Sequence, residues 1–200
     1  MIPRERVLAA FRHEVPDTVP AYVRNIMEWE RHAEHFGVSS PDDLFALLGN
    51  AIRSFDPACL VELETRAGTG SDKDTRVKLT VWGVPNATRG TYTDTILRPL
   101  THAETVSDVE AFKWPSGEEW DFDEMRQQLL AEKTCARLSP SWTPVFSRLC
   151  EVFGMEKAMV SLYTNRPLIE AALAHIDRFY TDFYGNILDT CGDLLDIFGL

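Results

Sequence analysis

The fold class follows from residues 134–198, which begin with Thr134-Cys135-Ala136-Arg137-Leu138-Ser139 and end with Leu194-Leu195-Asp196-Ile197-Phe198. Short apolar runs of this kind predict buried β-strands. Between them, apolar residues recur at helical spacing over residues 167–191, which predicts a long helix that ends at Gly192. Because a strand is followed by helical cover and then by another strand, the stretch indicates an α/β fold with a parallel sheet.

The same alternation extends toward the amino terminus. Residues 18–23 (Thr-Val-Pro-Ala-Tyr-Val) predict a strand, and residues 4–13 and 27–36 predict the helices on either side of it. A further helix is predicted to begin at Ser40, where a proline and two aspartates follow. Residues 51–97 instead alternate apolar and polar side chains, which predicts a small antiparallel β excursion from the main sheet.

Local signals also mark turns and helix ends. The run Gly68-Thr69-Gly70-Ser71-Asp72 predicts a turn within the β excursion. Ser107 and Asp121 each precede a glutamate by three residues, which is the spacing of a capping box. Thr143 is predicted to cap the next helix. The expected apolar stripe of that helix comprises Phe146, Leu149, Cys150 and Phe153.

The composition excludes several classes of partner. The chain has 200 residues, of which 44% are hydrophobic and 26% are charged, as in ordinary folded domains. Its formal net charge is -11, so it offers no basic surface for nucleic acid or anionic lipid. No stretch approaches the roughly eighteen apolar residues of a membrane span, and the first residues lack a signal-peptide core. We therefore expect a cytoplasmic protein without nucleic-acid or membrane partners.

Residues that could bind a metal are scattered. The cysteines have neither Cys-x-x-Cys nor His-x-Cys spacing, which predicts buried reduced thiols: Cys59, Cys135, Cys150 and Cys191. His32 and His35 lie three residues apart on a predicted helix, one turn after Glu28. A solvated polar helix face is the favoured interpretation of that group, and metal binding is the alternative. No metal site is predicted within this chain.

Five residues are the candidates for substrate binding, because α/β folds bind ligands at the carboxyl ends of their strands. Tyr22 and Arg24 follow the first predicted strand, and their phenol and guanidinium groups suit a carboxylate or phenolate. Ser139 ends a later strand, Trp142 follows it, and Asp196 lies in the last strand. The alternative for each residue is structural: an aromatic wall, a surface cation or a carboxylate that anchors a loop. The catalytic residues are not assigned.

Short motifs occur in a characteristic order along the chain. The first are Pro3-Arg4-Glu5-Arg6-Val7-Leu8-Ala9-Ala10-Phe11 and Pro16-Asp17-Thr18-Val19-Pro20. The later ones are Trp82-Gly83, Tyr92, Arg98-Pro99-Leu100, Thr105-Val106-Ser107-Asp108-Val109-Glu110, Trp114-Pro115, Trp120-Asp121-Phe122, Phe153-Gly154-Met155-Glu156-Lys157-Ala158-Met159 and Leu194-Leu195-Asp196-Ile197-Phe198. Their order and spacing resemble the uroporphyrinogen decarboxylase superfamily, which includes that decarboxylase and the cobamide-dependent methyltransferases.

The resemblance implies a (β/α)₈ TIM barrel with its substrate cleft at the carboxyl face. The small β excursion predicted from the alternation of residues 51–97 would be part of this fold. Residues 1–200 would then form a single domain that is the amino-terminal portion of such a barrel. The length agrees with this expectation, because 200 residues are few for a fold that typically needs about 250. We therefore expect an incomplete barrel, truncated after the predicted strand at residues 194–198.

The resemblance also bears on the chemistry. True uroporphyrinogen decarboxylases carry an Arg-Gln-Ala-Gly-Arg signature after the first strand, where this chain has Tyr22-Val23-Arg24-Asn25-Ile26-Met27-Glu28-Trp29-Glu30-Arg31. Two glutamates in that stretch would repel a polycarboxylate substrate. The family's Phe-Ser-Asp-Ile motif around its catalytic aspartate is matched only in part, by Ser54-Phe55-Asp56-Pro57. The favoured function is therefore a corrinoid-dependent methyltransferase that acts on a small methylated or thiol substrate.

The family further implies a zinc ion, held by His-x-Cys and a distant Cys, and a corrinoid cofactor. No such ligand set occurs in these residues, so it would be expected after Leu200. The implied partners are a small-molecule substrate, a corrinoid protein and a second copy in a homodimer. The alternative functions are a uroporphyrinogen decarboxylase (a carboxy-lyase) and a non-catalytic binding or assembly module.

Overall fold

The computed structural model describes residues 1–24, 26, 28–61, 65–67, 76–89, 92–141 and 143–199. The helices are α1 (Pro3–Phe11), α2 (Trp29–Phe36), α3 (Pro41–Leu47), α4 (Val106–Glu110), α5 (Phe122–Ala131), α6 (Val145–Phe153), α7 (Met155–Thr164) and α8 (Arg166–Cys191). The strands are β1 (Ile52–Ser54), β2 (Ala58–Cys59), β3 (Thr65–Ala67), β4 (Arg76–Leu79), β5 (Pro85–Arg89), β6 (Tyr92–Thr95), β7 (Trp120–Asp121) and β8 (Ala136–Leu138). The α/β class predicted from the sequence is confirmed.

The chain forms two compact units. Unit 1 comprises Met1–Ala58, Asp121–Trp142 and Ile187–Leu200, and unit 2 comprises Cys59–Trp120 and Thr143–Asn186. The chain passes from one unit to the other at three places: within β2, within β7 and in the last part of α8. No described helix combines the length and the apolar character that a membrane span requires.

Unit 1 contains a row of parallel pairings, which we call the parallel array. Strand β1 pairs in parallel with β8, so that Ile52 lies beside Ala136. Two parallel bridges extend this pair, one between Ala21 and Asn50 and the other between Leu138 and Ile197. The spatial order of the four segments is therefore the same as their order in the chain. Helices occur in each of the three connections between them.

Backbone hydrogen bonds hold the array together. The amide of Ala51 donates to the carbonyl of Ala21 at 2.8 Å, and the amide of Ala136 donates to the carbonyl of Ala51 at 2.9 Å. Between the third and fourth segments, the amide of Ser139 donates to the carbonyl of Ile197 at 3.0 Å. The array extends over four segments, and within the described part of the chain it does not close into a barrel.

Helix α1 packs against the array. Pro3 occupies the first turn, where its missing amide hydrogen costs nothing, and Val7 and Ala9 are buried. The amide of Arg4 donates to the carbonyl of Thr134 at 2.9 Å, which ties the start of the helix to the chain just before β8. Val7 contributes to a small apolar core with Ala51, Ala136, Ile52 and Ile197.

Unit 2 contains the predicted β excursion. Strands β3, β4, β5 and β6 form a four-stranded antiparallel sheet in chain order. Val77 of β4 pairs with Ala87 of β5, and Ala87 in turn pairs with Asp94 of β6. The prediction of an antiparallel excursion is confirmed, whereas the predicted turn at residues 68–72 lies outside the described residues.

Aromatic side chains fill the core of unit 2. Trp82 is 2% exposed, and its ring lies 4.8 Å from that of Phe179 on α8. Phe183, one turn later on the same helix, stacks on Phe179 at 5.7 Å and meets Trp120 edge to face at 5.1 Å. Large aromatic surfaces stabilise such a core through buried area and through favourable ring geometry. The long helix predicted over residues 167–191 is thus confirmed, and it carries part of this core.

The structure confirms two predicted helix caps and corrects two others. The hydroxyl of Ser40 accepts from the amide of Asp43, and the carboxylate of Asp121 accepts from the amide of Glu124. The predicted cap at Ser107 is wrong, because Thr105 caps α4 two residues earlier. The predicted cap at Thr143 is also wrong, because α6 begins after Pro144 without a side-chain cap.

Four further predictions are corrected in part. Phe146, expected on the apolar stripe of α6, is 52% exposed. The predicted strands at residues 18–23 and 194–198 are each reduced to one bridge, because residues 192–194 form a short 3₁₀ turn and Pro20 has no amide hydrogen for a ladder. The four cysteines are free, but of these Cys191 alone is fully buried.

Candidate functional site

The carboxyl ends of the four parallel segments lie along one edge of unit 1, which we call the carboxyl edge. It consists of residues 22–24, 55–57, 139–141 and 198–199, which directly follow the pairings of the array. Parallel α/β folds bind their ligands at such an edge, because loops of variable sequence meet there on a rigid scaffold. The charged residues at these positions are Arg24 and Asp56.

Tyr22, Arg24 and Asp56 influence one another electrostatically, and we call these three residues the edge cluster. Tyr22 is 39% exposed. Burial raises the pKa of its phenol, the positive charge of Arg24 works against this rise, and the negative charge of Asp56 adds to it. The two segments that carry the cluster are neighbours in the array, since Ala21 pairs with Asn50. The fold therefore brings together three polar groups from two separate parts of the chain.

Asp56 follows β1 and is accessible to solvent, although nearby atoms partly desolvate its carboxyl group. This desolvation raises the pKa of Asp56, and the charge of Arg24 opposes the rise without cancelling it. A carboxyl group with a raised pKa holds a proton more readily than an ordinary aspartate, and a shift of this kind is typical of groups that transfer protons. Asp56 is thus the group of the edge cluster that is best suited to acid–base chemistry.

The guanidinium group of Arg24 forms no hydrogen bond or ion pair with any other described residue. By contrast, Arg4 and Arg53, which belong to the same unit, are each paired with a carboxylate. Among the described residues, the charge of Arg24 acts on Tyr22 and Asp56. A guanidinium group binds carboxylate, phenolate or phosphate oxygens through two parallel hydrogen bonds.

Asn50 links the end of the first segment of the array to the start of β1. Its Oδ1 atom accepts from the amide of Val23 at 2.9 Å, and its Nδ2 atom donates to the carbonyl of Ile52 at 2.7 Å. The side chain is almost completely buried, with the residue 9% exposed. Asn50 thus connects the residue between Tyr22 and Arg24 to the first residue of β1.

Ser139 lies at the carboxyl edge but is completely buried. Its hydroxyl donates to the carbonyl of Pro140 at 3.0 Å and accepts from the amide of Gly199 at 3.0 Å. The first bond occupies the donor of the hydroxyl, and the second joins the third and fourth segments. The structure therefore places Ser139 inside the scaffold, where it joins two strand ends.

Asp196 directly precedes the pairing of Ile197 with Leu138 and lies beside Arg137 of β8. Its carboxylate accepts from Arg4 at 2.7 Å and from the amide of Arg137 at 2.9 Å, and its side chain is 6% exposed. These partners belong to α1 and β8, so Asp196 joins the amino-terminal helix to the array. The structure does not bring it to the edge cluster. Trp142 lies outside the described residues.

No group of three or more histidine, cysteine, aspartate or glutamate side chains that could hold a metal ion occurs within the described ranges. Glu28, His32 and His35 therefore do not form such a group, and Glu28 is instead paired with Arg31 at 2.8 Å. The residues present do not fit the zinc ion that the family resemblance implies. No described set of residues identifies a corrinoid site either.

Each unit also has a cavity away from the carboxyl edge. In unit 1, a cavity of about 240 Å³ lies at the amino ends of β1 and β8 and is lined by Asp42, Phe45, Ala46, Asn50, Arg53, Glu132, Thr134 and Cys135. Burial raises the pKa of the Cys135 thiol, which disfavours its thiolate form. In unit 2, an open cavity of about 530 Å³ lies beside the start of α7, where Arg98 donates to carbonyls of α6.

Comparison with known proteins gives one distant likeness. No family model and no curated protein matches the chain. Among solved structures, the chain is similar to a methyltransferase from Methanosarcina mazei, with 13% sequence identity and a TM-score of 0.49. The alignment covers 99% of this chain and 58% of that protein, so this chain spans a little over half of its length.

The sequence alone identified Tyr22 and Arg24 as candidates but did not assign Asp56 and Asn50. The signal for Asp56 was the partial match of Ser54-Phe55-Asp56-Pro57 to the family's motif around its catalytic aspartate. Asn50 gives no comparable signal, because its role depends on a contact with Val23, which is 27 positions away.

Proposed function

We propose that this chain forms the amino-terminal half of a (β/α)₈ barrel enzyme of the uroporphyrinogen decarboxylase superfamily, and that the carboxyl edge binds the substrate. The observation that carries this proposal is the order of the parallel array. Four parallel segments follow one another in space as they do in the chain. Doubly wound sheets reverse their strand order at a switch point, whereas a TIM barrel keeps the chain order throughout.

We further propose that the enzyme transfers a methyl group to or from a small substrate with at most one negative charge. The charge balance at the carboxyl edge supports this choice. A porphyrinogen carries several carboxylates, and each needs a cation or a hydrogen-bond donor when it leaves water. The edge positions carry one arginine and one aspartate, so their charges sum to zero. Such a surface suits a substrate with a single anionic group.

Each member of the edge cluster has a role in this proposal. Arg24 binds the anionic group of the substrate, and the phenol of Tyr22 donates a hydrogen bond to it. Asp56 accepts the proton that a thiol or hydroxyl group loses as it attacks the methyl carbon. The new bond to carbon forms as the bond between that carbon and its donor breaks, and the donor leaves with the electron pair. A carboxylate with a raised pKa is a stronger base for this step than an ordinary aspartate.

None of the described residues is proposed to bind a metal ion or a corrinoid. A separate corrinoid protein is the proposed methyl carrier, and a homodimer is the proposed assembly. Both expectations come from the family resemblance alone.

A second candidate function is the decarboxylation of a porphyrinogen-like substrate, and the position of Asp56 is the observation that favours it. The resemblance places the family's catalytic aspartate in a motif that Ser54-Phe55-Asp56-Pro57 matches in part. Asp56 follows the second segment of the array and lies near Arg24. This candidate ranks second because the carboxyl edge has few cations for a polycarboxylate.

One experiment separates these candidates. The protein is incubated with free methylcobalamin and a panel of small thiols, and loss of the methyl–cobalt chromophore is followed by absorbance. A parallel reaction contains uroporphyrinogen and is analysed by chromatography of the oxidised products. We expect faster loss of methylcobalamin with protein than without it, and no product from uroporphyrinogen. Turnover of uroporphyrinogen would instead establish the second candidate, and no reaction in either assay would favour a non-catalytic module.

A further inference from the structure

Asn50 has a buried side chain whose two hydrogen bonds both go to backbone groups. Its Oδ1 atom accepts from Val23, and its Nδ2 atom donates to Ile52, at 2.9 and 2.7 Å. An asparagine side chain offers one acceptor and two donors, so it can satisfy an amide on one strand and a carbonyl on the next at the same time. Neither alanine nor aspartate could form both bonds.

The segment after Ala21 depends on this side chain. The backbone bond from Ala51 to Ala21 is the one that forms the bridge between the first and second segments. The next bond between these two segments runs in the opposite direction, because the amide of Val23 donates to the side chain of Asn50. Val23 lies between Tyr22 and Arg24, so the bond fixes the backbone from which both side chains extend.

We propose that Asn50 is a positioning residue, whose bond to Val23 holds Tyr22 and Arg24 beside Asp56. This inference rests on the proposed function for the use of the edge cluster in catalysis, whereas the positioning itself is a statement about geometry. Asn50 touches neither the proposed substrate nor the reacting groups. It acts through the backbone that carries two of the three members of the cluster.

The ionisation of Asp56 reports on this geometry. Burial raises the pKa of Asp56, and the positive charge of Arg24 makes this rise smaller. Coulombic interactions weaken with distance, so a small displacement of Arg24 reduces the effect. Substitutions that only lower the stability of unit 1 leave the folded geometry of the cluster unchanged. The pKa of Asp56 therefore separates positioning from a general structural role.

The test compares Asn50→Ala with a matched control in the full chain. The control is Ser40→Ala, which removes the hydrogen bond that caps α3 in the same unit but has no contact with the edge cluster. The pKa of Asp56 is measured from the chemical shift of its carboxyl carbon during a pH titration, and the resonance is assigned with Asp56→Asn. We expect Asn50→Ala to raise the pKa of Asp56 by about half a unit or more. We expect Ser40→Ala to leave it unchanged.

A second measurement needs no variant and covers the case in which Asn50→Ala does not fold. Amide hydrogen exchange in the wild-type protein should show slow exchange at Val23, because its amide is bonded to Asn50. Rapid exchange at Val23, or an unchanged or lower pKa of Asp56 in Asn50→Ala, would overturn the proposal. These results are independent of activity. Positioning without any methyl transfer would refute the proposed function alone, and methyl transfer with an unchanged pKa would refute positioning alone.

Discussion

Arg4 and Asp196 are separated by 192 positions in the chain and form a two-pronged ion pair. The Nη2 atom of Arg4 lies 2.7 Å from Oδ1 of Asp196, and its Nε atom lies 2.9 Å from Oδ2. The carboxylate also accepts from the amide of Arg137. Because Asp196 is almost completely buried, its charge depends on these partners. The pair thus fastens the first helix to the last segment of the parallel array.

The first prediction concerns the replacement Asp196→Asn. It removes the negative charge and replaces one carboxylate oxygen with an NH₂ group. Arg4 therefore loses its two-pronged ion pair, and Arg137 loses its charged partner. We expect a loss of about 3 kcal/mol in the free energy of unfolding, as when one partner of a buried ion pair is removed. Urea unfolding followed by circular dichroism measures the change.

The control for this experiment is Asp17→Asn. Asp17 accepts from Arg6 at 2.7 Å, but this pair is exposed, and exposed ion pairs contribute little to stability. We expect no measurable change in the urea midpoint for Asp17→Asn. Equal effects of the two substitutions would show that the Asp196 network does not hold α1 in place.

The second prediction is a dependence of stability on pH. Burial favours a higher pKa for Asp196, but the hydrogen bonds from Arg4 and from the amide of Arg137, together with their charges, outweigh it and lower the pKa. A carboxyl group with a lowered folded-state pKa stabilises the fold fully above its unfolded pKa of about 3.9. That stabilisation is lost as the pH falls through the folded-state pKa.

Unfolding measurements between neutral and strongly acidic pH check this prediction. The difference in unfolding free energy between wild type and Asp196→Asn should be constant above about pH 4 and should shrink below it. A difference that stays constant down to the acid-unfolding limit would mean that Asp196 is not ionised in the folded protein.

The third prediction concerns a close contact in unit 2. A Cβ atom on Gly117 would lie 2.5 Å from the amide nitrogen of Phe183 and 2.8 Å from the carbonyl oxygen of Phe179. Both are backbone atoms of α8, so they cannot move aside as a side chain could. We expect Gly117→Ala to lower the unfolding free energy by about 2 kcal/mol, as overpacking does. Thermal unfolding measures the loss.

Gly185→Ala is the matched substitution on α8 itself. A Cβ atom at Gly185 would meet nothing within 4 Å, and alanine is a better helix former than glycine by about 1 kcal/mol. This variant should therefore be as stable as the wild type or more stable. If Gly117→Ala were tolerated equally well, the close approach of residue 117 to α8 would be refuted.

Much of the fold could be predicted because its signals are local. The cap at Ser40 and the long helix over 166–191 depend on residues within a few positions of one another. The antiparallel sheet of unit 2 follows from alternating side chains in consecutive strands. Such features need no knowledge of distant contacts, and the structure confirms them.

The errors arose where the sequence offered two equivalent local choices. Thr105 and Ser107 are both good capping residues, each followed three residues later by an acidic residue. In the structure Thr105 caps α4, and its hydroxyl accepts from the amide of Asp108. Phe146 fits an apolar stripe by spacing, but periodicity cannot tell which part of a stripe is covered by neighbouring elements.

The candidate site was predictable in part, because some of its signals are local and others depend on distant contacts. Tyr22 and Arg24 could be proposed from their place after an apparent strand. Their relation to Asp56 depends on the pairing of Ala21 with Asn50, which joins segments that are far apart in the chain. Ser139 was assigned to the site because it ends a strand, but its complete burial depends on Gly199 and Pro140 as partners.

Asp56→Asn tests most directly whether the edge cluster carries out methyl transfer. The substitution keeps the size of the side chain but removes the group that accepts a proton. The rate of methyl transfer from methylcobalamin to the best thiol acceptor is compared in wild type, Asp56→Asn and the control Asp17→Asn. We predict that Asp56→Asn lowers this rate by about 100-fold or more, as is usual for the loss of a general base. We predict that Asp17→Asn leaves it unchanged, and equal rates in wild type and Asp56→Asn would contradict the claim.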